Sequence, residues 1–399
     1  MASIECLFCQ SDFEVALDLK QHIREMHHSH ISQVHDLSKE ESLSRVKPVQ
    51  PCPSVSLTDI IPPADTDALT AEVLDLVEEL RQPQDKVMAW KRKLEQLNVC
   101  LGSEGLQGHL EPFGSCCNGF STVSSDLDLC FSLPVTQAFT IPESRKKGYL
   151  ERRGPDGLQA ELQMRLLDLI TKALLTSGFT LEDLHSKFGA RTPILCVESS
   201  DFIMDIVTRN QVGIENSRLL RTYSDFDPRV SQLGIAIKYW AKRRGLSNAV
   251  RRVLCSYAFI LLVIRFLQEE LVVPNLQQDY HDLPRRMCES HDCSFEDNLE
   301  LYKEMRGQNP SSVGDLLVRF FRFYSLFDWR RQAVSIAILH ESKPAEWRGL
   351  IAISDPFEAK RNLGDTVSSE NEETIVNEFR RAYRLLCEGM CFREVCNDS

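Results

Sequence analysis

The sequence predicts an α+β protein: a small mixed sheet, then a mostly helical domain, with a small metal-stapled element in front. Three observations carry that expectation. Apolar runs around Asp126–Leu129 within 105–135, and near 193–197 (PILCV) and 202–207 (FIMDIV), read as strands. Leu and Val recur at helical spacing over 67–100 and 157–177, and again through most of 215–330. Four Cys and His residues near the N-terminus have the spacing of a zinc site.

The elements follow in chain order. Residues 6–27 read CLFCQSDFEVALDLKQHIREMH, a Cys-x2-Cys-x12-His-x4-His pattern carried by Cys6, Cys9, His22 and His27. Zinc takes four soft or borderline ligands in a tetrahedron, and a hairpin knuckle plus a helix supplies them at this spacing. Phe13 and Leu19 sit where such a C2H2 finger (residues 1–30) needs its core. Its helix would present Val15, Asp18 and Gln21 outward, and residues 1–30 hold two basic and five acidic side chains. That charge is poor for meeting DNA phosphates, so a protein or RNA-shape partner is expected for the finger. Residues 31–66 are polar and Pro-interrupted, a flexible linker. The helical pattern of 67–100 breaks near Pro83, 105–135 mixes loop and strand, and 350–357 (LIAISDPF) reads as strand or turn. A last amphipathic helix follows in ETIVNEFRRAYRLLCEG.

Composition sets limits. The chain has 399 residues, 43% of them hydrophobic, enough for real cores and too many for global disorder. The N-terminus MASIECLFCQ lacks the apolar segment of a secretory signal, and no apolar run is long enough to span a bilayer. Fourteen scattered cysteines do not form a disulfide scaffold, so a reduced, cytoplasmic protein without a membrane partner is expected. The net charge of −12 means any nucleic-acid contact must come from local basic patches.

One such patch is KYWAKRRGLSNAVRR, residues 238–252, with six positive side chains and no negative one. Arg243, Arg244, Arg251 and Arg252 are candidate RNA-backbone contacts, against a plain solvated helix face. FFRFYSLFDW, 320–329, packs six aromatics into ten residues and reads as helical core rather than a base-stacking platform.

The stretch PFGSCCNGFSTVSSDLDLCFSLP, 112–134, carries the chemistry. Residues i and i+2 of a strand point to one face, so Asp126 and Asp128 project together while Leu127 and Leu129 turn into a core. A third carboxylate, Asp205, sits in the apolar run FIMDIV. Buried like charges are costly unless a cation neutralises them. Hard oxygen ligands in this number suit Mg²⁺, or Mn²⁺, and leave room for substrate phosphates. Gly114 and Ser115 form a small-residue turn that can expose N–H groups and a hydroxyl to phosphate. Taken alone, Asp-Leu-Asp also fits a turn with Asp128 exposed on an edge strand.

These residues resemble the nucleotidyltransferases of the DNA polymerase β superfamily, whose hallmark is Gly-Ser followed by Asp-x-Asp and a later Asp. Within it, the chain looks like the terminal uridylyltransferases and the related cytoplasmic poly(A) polymerases. The resemblance covers roughly 85–365, through FGSCCNGFSTVSSDLDL, then DIVTRNQVGIENSRLLRTYSDFDPRVSQLGIAIKYWAKRRGL, LCSYAFILLVIRFLQ, SVGDLLVRFFRFYSLFDW and ISDPFEAKRNLG. It implies a nucleotidyltransferase palm over 67–222 and a helical poly(A)-polymerase-associated domain over 223–399. It implies template-independent addition of UMP from UTP to the 3′ end of single-stranded RNA by a two-metal mechanism.

The resemblance also implies roles. Asp126, Asp128 and Asp205 would hold Mg²⁺, and Asp205 would help activate the RNA 3′-hydroxyl. Ser115 and Ser256 would touch or support the phosphates, and Lys238 and Lys242 would meet the triphosphate. Asn216 would bond the ribose and a base carbonyl, with Asn210 close by. Tyr257 would stack on the base; Asp355 and Glu358 would reach its edge. Read by themselves, Asn216 also fits a helix cap and Tyr257 a core tyrosine. In one respect the chain departs from the pattern. Relatives that strongly prefer UTP usually carry a histidine where DPFEAKRN has Arg361. That leaves an ATP-using poly(A) or oligo(A) polymerase as the alternative enzyme. A silent RNA- or protein-binding module is the alternative from another class, which the retained carboxylates disfavour.

Overall fold

The computed structural model describes residues 4–5, 12–13, 62–63, 65–106, 108–132, 163, 166–180, 184–187, 193–198, 203–208, 210–247, 251–278, 285–288 and 290–397. The chain divides into two compact units. One comprises Met1–Arg45, Asp85–Pro112 and Asp126–Asn210; the other comprises Val46–Gln84, Phe113–Ser125 and Gln211–Ser399. The units are therefore not contiguous in sequence.

The first unit holds the mixed sheet. Its five strands are β3 (His109–Phe113), β4 (Leu127–Ser132), β5 (Leu184–Lys187), β6 (Ile194–Glu198) and β7 (Ile203–Thr208), in the order β3-β4-β7-β6-β5. β4 and β7 run parallel, while β6 is antiparallel to both β7 and β5. In β4, Leu127, Leu129, Cys130 and Phe131 are all buried. Met204, Ile206 and Val207 do the same in β7. Each fully buried large aliphatic side chain contributes about 1.5–3 kcal/mol, so these two strands are strongly fixed. Helix α2 (Gln84–Ser103) and a helix over 166–176, α3, join this unit. The amide of Asn98 on α2 accepts from the Leu110 N–H (2.6 Å) and donates to its carbonyl (3.1 Å). It thus satisfies the outer face of β3, an edge strand that carries Pro112 as edge strands can.

A separate antiparallel pair, β1 (Ile4–Glu5) and β2 (Asp12–Phe13), brackets the two cysteines of the expected finger, with Ile4 opposite Phe13. Cys6, Cys9, His22 and His27 themselves lie outside the described residues.

The second unit is helical. It contains α1 (Asp67–Leu80), α4 (Gln211–Phe226), α5 (Pro228–Arg243), α6 (Ser256–Glu269), α7 (Val313–Leu326), α8 (Ser369–Cys387) and α9 (Phe392–Cys396). α1 and α2 stop and start on either side of Pro83, as the sequence expects. α1 buries Val73, Leu76 and Val77 in this unit's core, packing on α5 and α7. That apolar stripe is why α1 joins the second unit although it precedes the sheet in sequence. The aromatic run is core, as expected: Phe320, Phe321, Tyr324 and Trp329 are buried. Trp240 of α5 meets Phe321 edge-on at 4.9 Å and Phe379 at 5.3 Å. Gly234 on α5 leaves room for the Phe120 ring; a β-carbon there would collide with it. The 350–357 stretch forms bridges, Val334 with Ile353 and Ser354 with Asn362, rather than a full strand. Among the described residues no helix is long and apolar enough to cross a membrane.

One candidate RNA contact is corrected here. Arg244 is buried, and its guanidinium binds Glu378 through two 2.9 Å hydrogen bonds. Glu378, 1% exposed, also accepts from Arg381 at 3.1 Å. Arg244 is thus a structural tie between α5 and α8, drawn inward by a buried carboxylate that needs a partner. Removing one member of such a group strands the others. Glu378→Ala should lower unfolding free energy by about 3–5 kcal/mol. Chemical denaturation would measure it; a loss no larger than a surface pair's would contradict this assignment.

Candidate active site

The carboxylates belong to the first unit. The parallel pairing sets Asp128 opposite Asp205, flanked by Leu127 opposite Met204 and Leu129 opposite Ile206. All four flanking side chains are buried, while Asp128 and Asp205 are half-buried. Paired positions in neighbouring strands share a face, so the two carboxylates emerge level and on the same side of the sheet. Asp126 is exposed and stands one residue before β4 begins. Across the next ladder Cys196 faces Asp205. Among the described residues, no three His, Cys, Asp or Glu side chains are gathered tightly enough to hold a metal ion. The backbone nonetheless presents two acidic side chains level with each other and a third two residues before one of them, a donor set that suits a hard cation. Asn210 ends this unit; its N–H donates to the Cys130 thiol at 3.2 Å.

The remaining candidates belong to the second unit. Gly114 has φ +72°, a conformation glycine adopts without strain. It opens a short 3₁₀ turn, Gly114–Cys116, that carries Ser115. The Gly114 N–H donates to the Ser217 hydroxyl at 2.7 Å, and Ser217 in turn donates to the Gly213 carbonyl. Sequence reasoning missed Ser217. A mid-helix serine normally bonds back to its own helix, and nothing in the sequence joins it to a turn 103 residues earlier.

Asn216 precedes Ser217 on α4 and is buried. Its side-chain oxygen accepts from the Tyr257 hydroxyl at 2.9 Å, so the residues expected at ribose and base touch each other. Tyr257 stands in the first turn of α6, after Ser256, whose hydroxyl is 3.0 Å from that of Ser247. Burial pushes the Tyr257 hydroxyl well above its usual pKa, keeping it a neutral donor. Lys238 and Lys242, four apart on α5, both reach the segment after the Gly-Ser turn. Lys238 donates to the Phe120 carbonyl at 2.8 Å, and Lys242 is 3.4 Å from the Ser124 hydroxyl.

Asp355 and Glu358 are wired to Arg361. The Asp355 carboxylate accepts from the Phe357 and Glu358 N–H groups at 3.1 Å each. The Arg361 guanidinium reaches Asp355 at 3.2 Å and Glu358 at 2.8 Å. Burial raises the pKa of Asp355, opposed by those N–H donors and by Arg361. Arg361 is 39% exposed and folds back over its own loop. Of the other basic candidates, Arg243 is exposed and bonds the Asn397 side chain, Arg251 is half-buried, and Arg252 is exposed with φ 57°.

Two family models match the chain. One is described as "Poly(A) RNA polymerase, mitochondrial-like, central palm domain" and covers residues 69–225; the other, "Cid1 family poly A polymerase", covers 312–361. Terminal uridylyltransferase 4 of Mus musculus is 32% identical over 286 residues, 68% of this chain but 16% of that protein's length. Terminal uridylyltransferase cid1 of Schizosaccharomyces pombe is 31% identical over 327 residues, 76% of this chain and 75% of that protein. A crystal structure of the Cid1 poly(U) polymerase with Mg and 3′-dATP bound superposes with a TM-score of 0.69 at 26% identity, covering 84% of this chain and all of that one.

The Ser217–Gly114 bond gives a test of the turn. Ser217→Ala leaves the Gly114 N–H without its acceptor, so unfolding free energy should fall by about 1–3 kcal/mol. Chemical denaturation would measure it, and unchanged stability would show that the turn does not depend on Ser217.

Proposed function

The chain belongs to the Cid1 family of RNA nucleotidyltransferases, and we propose that it is a template-independent RNA 3′-terminal uridylyltransferase that adds UMP from UTP. The level placement of Asp128 and Asp205 carries the chemistry, and identity above 30% to two uridylyltransferases, against 26–29% to poly(A) RNA polymerases, favours UTP. Asp126, Asp128 and Asp205 hold divalent cations, Mg²⁺ or Mn²⁺. When bound, these supply charge neutralisation at the transferring phosphoryl group.

The chain's own groups do the rest. Asp205 takes the proton from the RNA 3′-hydroxyl as it attacks the α-phosphorus. Gly114 and Ser115 offer an N–H and a hydroxyl to the phosphates, with Ser256 in support. Lys238 and Lys242 exchange their present oxygen partners for triphosphate oxygens. Asn216, already oriented by Tyr257, meets the ribose and a base carbonyl, and Asn210 assists it. The Tyr257 ring stacks on the base; Asp355, Glu358 and Arg361 face its edge. The exposed Arg243 and Arg252, with the half-buried Arg251, suit the RNA backbone.

A specific observation favours a second reading, with ATP as substrate. Arg361 is drawn onto Asp355 and Glu358 instead of standing clear of its loop as a steric guard, and both matching family models are named for poly(A) synthesis. The finger at Cys6, Cys9, His22 and His27 is proposed as a structural zinc site that meets a protein or RNA partner, and the protein as cytoplasmic.

Incubation with each nucleoside triphosphate alone, on a short single-stranded RNA, tests the reading: extension should be greatest with UTP. Asp128→Ala or Asp205→Ala should abolish extension and leave thermal stability without metal near that of the parent, because each removes like-charge repulsion. Near-normal magnesium-dependent extension by either variant would sink the site. Arg361→His should raise the UTP-to-ATP ratio in kcat/KM by about tenfold to a few hundredfold, the worth of one pocket contact. An unchanged ratio in competition assays would place Arg361 away from the base. Elemental analysis should give one zinc per chain, lost in Cys9→Ser.

A further inference from the structure

The phosphate turn carries two adjacent thiols that the proposed chemistry does not use. Cys116 and Cys117 follow Gly114 and Ser115 directly, and both are half-buried rather than sealed in a core. The Cys116 thiol donates to the Phe113 carbonyl at 2.9 Å, and the Cys117 thiol to the Gly114 carbonyl at 3.5 Å. These are the carbonyls on either side of Gly114, so the thiols help close the turn whose N–H is fixed by Ser217. Arg221 of α4, held by Asp225, lies within electrostatic reach of Cys117. A half-buried thiol at the edge of a binding turn can still be reached by a small disulfide.

Of the other described thiols, Cys130, Cys196, Cys293 and Cys396 are buried and Cys391 is exposed. Cys100, Cys255, Cys288 and Cys387 are half-buried like the pair, but none adjoins Gly114 and Ser115 in the chain, and burial raises the pKa of the Cys255 and Cys387 thiols.

We propose that the Cys116–Cys117 pair is a reversible modification site for small-molecule disulfides of the glutathione class, which switches off triphosphate binding at the adjoining turn. In the step, a cysteine sulfur attacks one sulfur of glutathione disulfide. The S–S bond of the reagent breaks and a protein–glutathione S–S bond forms. The second glutathione leaves as thiolate and takes up the proton that the cysteine lost. The adduct removes an S–H donor from the turn and adds bulk and carboxylates beside Ser115, where they repel triphosphate. The modification stands on the geometry of the turn; its effect on activity rests on the function proposed above.

The test uses the full chain, reduced and then treated with glutathione disulfide at about pH 8, where an ordinary thiol is partly ionised. Peptide mapping should place the first adduct on 116–117, and magnesium–UTP present beforehand should slow it. Affinity for UTP should fall at least tenfold and return with dithiothreitol. Cys116→Ser with Cys117→Ser removes the reactive sulfurs, so treatment should leave this variant's own UTP affinity and rate of RNA extension unchanged, whatever their starting values. Adducts confined to other cysteines would overturn the proposal, as would equal inhibition of the double variant. If the untreated protein extends no RNA with any nucleotide, the proposed function fails, while the peptide map still decides whether the thiol pair is the reactive site.

Discussion

The register between β4 and β7 is the constraint on which the acidic cluster depends. A strand that slips by one residue turns every side chain to the opposite face. Here such a slip would drive Asp128 or Asp205 inward and expose Leu127, Leu129, Met204 or Ile206, all now buried. Those aliphatic side chains hold the ladder against the repulsion of two level carboxylates. The hydrophobic core thus sets the spacing of the charges.

The second unit solves a related problem with neutral and paired groups. Asn216 is satisfied by Tyr257, whose hydroxyl burial keeps protonated. Asp355 is satisfied by two backbone N–H groups and Arg361. Glu378 is satisfied by Arg244 and Arg381. In each case a buried acceptor has donors aimed at it, which fixes rotamers and so holds neighbouring polar groups ready.

Much of this was legible in the sequence. β4, β6 and β7 appear as apolar runs, the break at Pro83 falls where proline puts it, and the aromatic run packs as a helical core. The strands His109–Phe113 and Leu184–Lys187 were not legible. The first contains Pro112 and the second a single aliphatic residue, and both exist because a neighbouring strand offers them a ladder. The carboxylates could be named from their spacing and from the family they resemble. Ser217, the Arg244–Glu378 tie and the engagement of Arg361 could not, because the first two join residues more than a hundred positions apart and the third depends on how one loop folds back. Local pattern reports which face a residue occupies; it does not report which distant partner completes it.

The fit of the Phe120 ring against Gly234 has an evolutionary consequence. With phenylalanine at 120, any side chain at 234 meets that ring, so the first step of a change at 234 is penalised by overpacking. If 120 shrinks first, a cavity opens that a larger residue at 234 can then fill. The two positions are epistatic, and the order of substitution decides which paths stay folded. Lineages descending from this sequence should therefore vary at 120 before, or together with, 234. The segment that carries Phe120, between the Gly-Ser turn and Asp126, is tied to the history of a helix more than a hundred residues away.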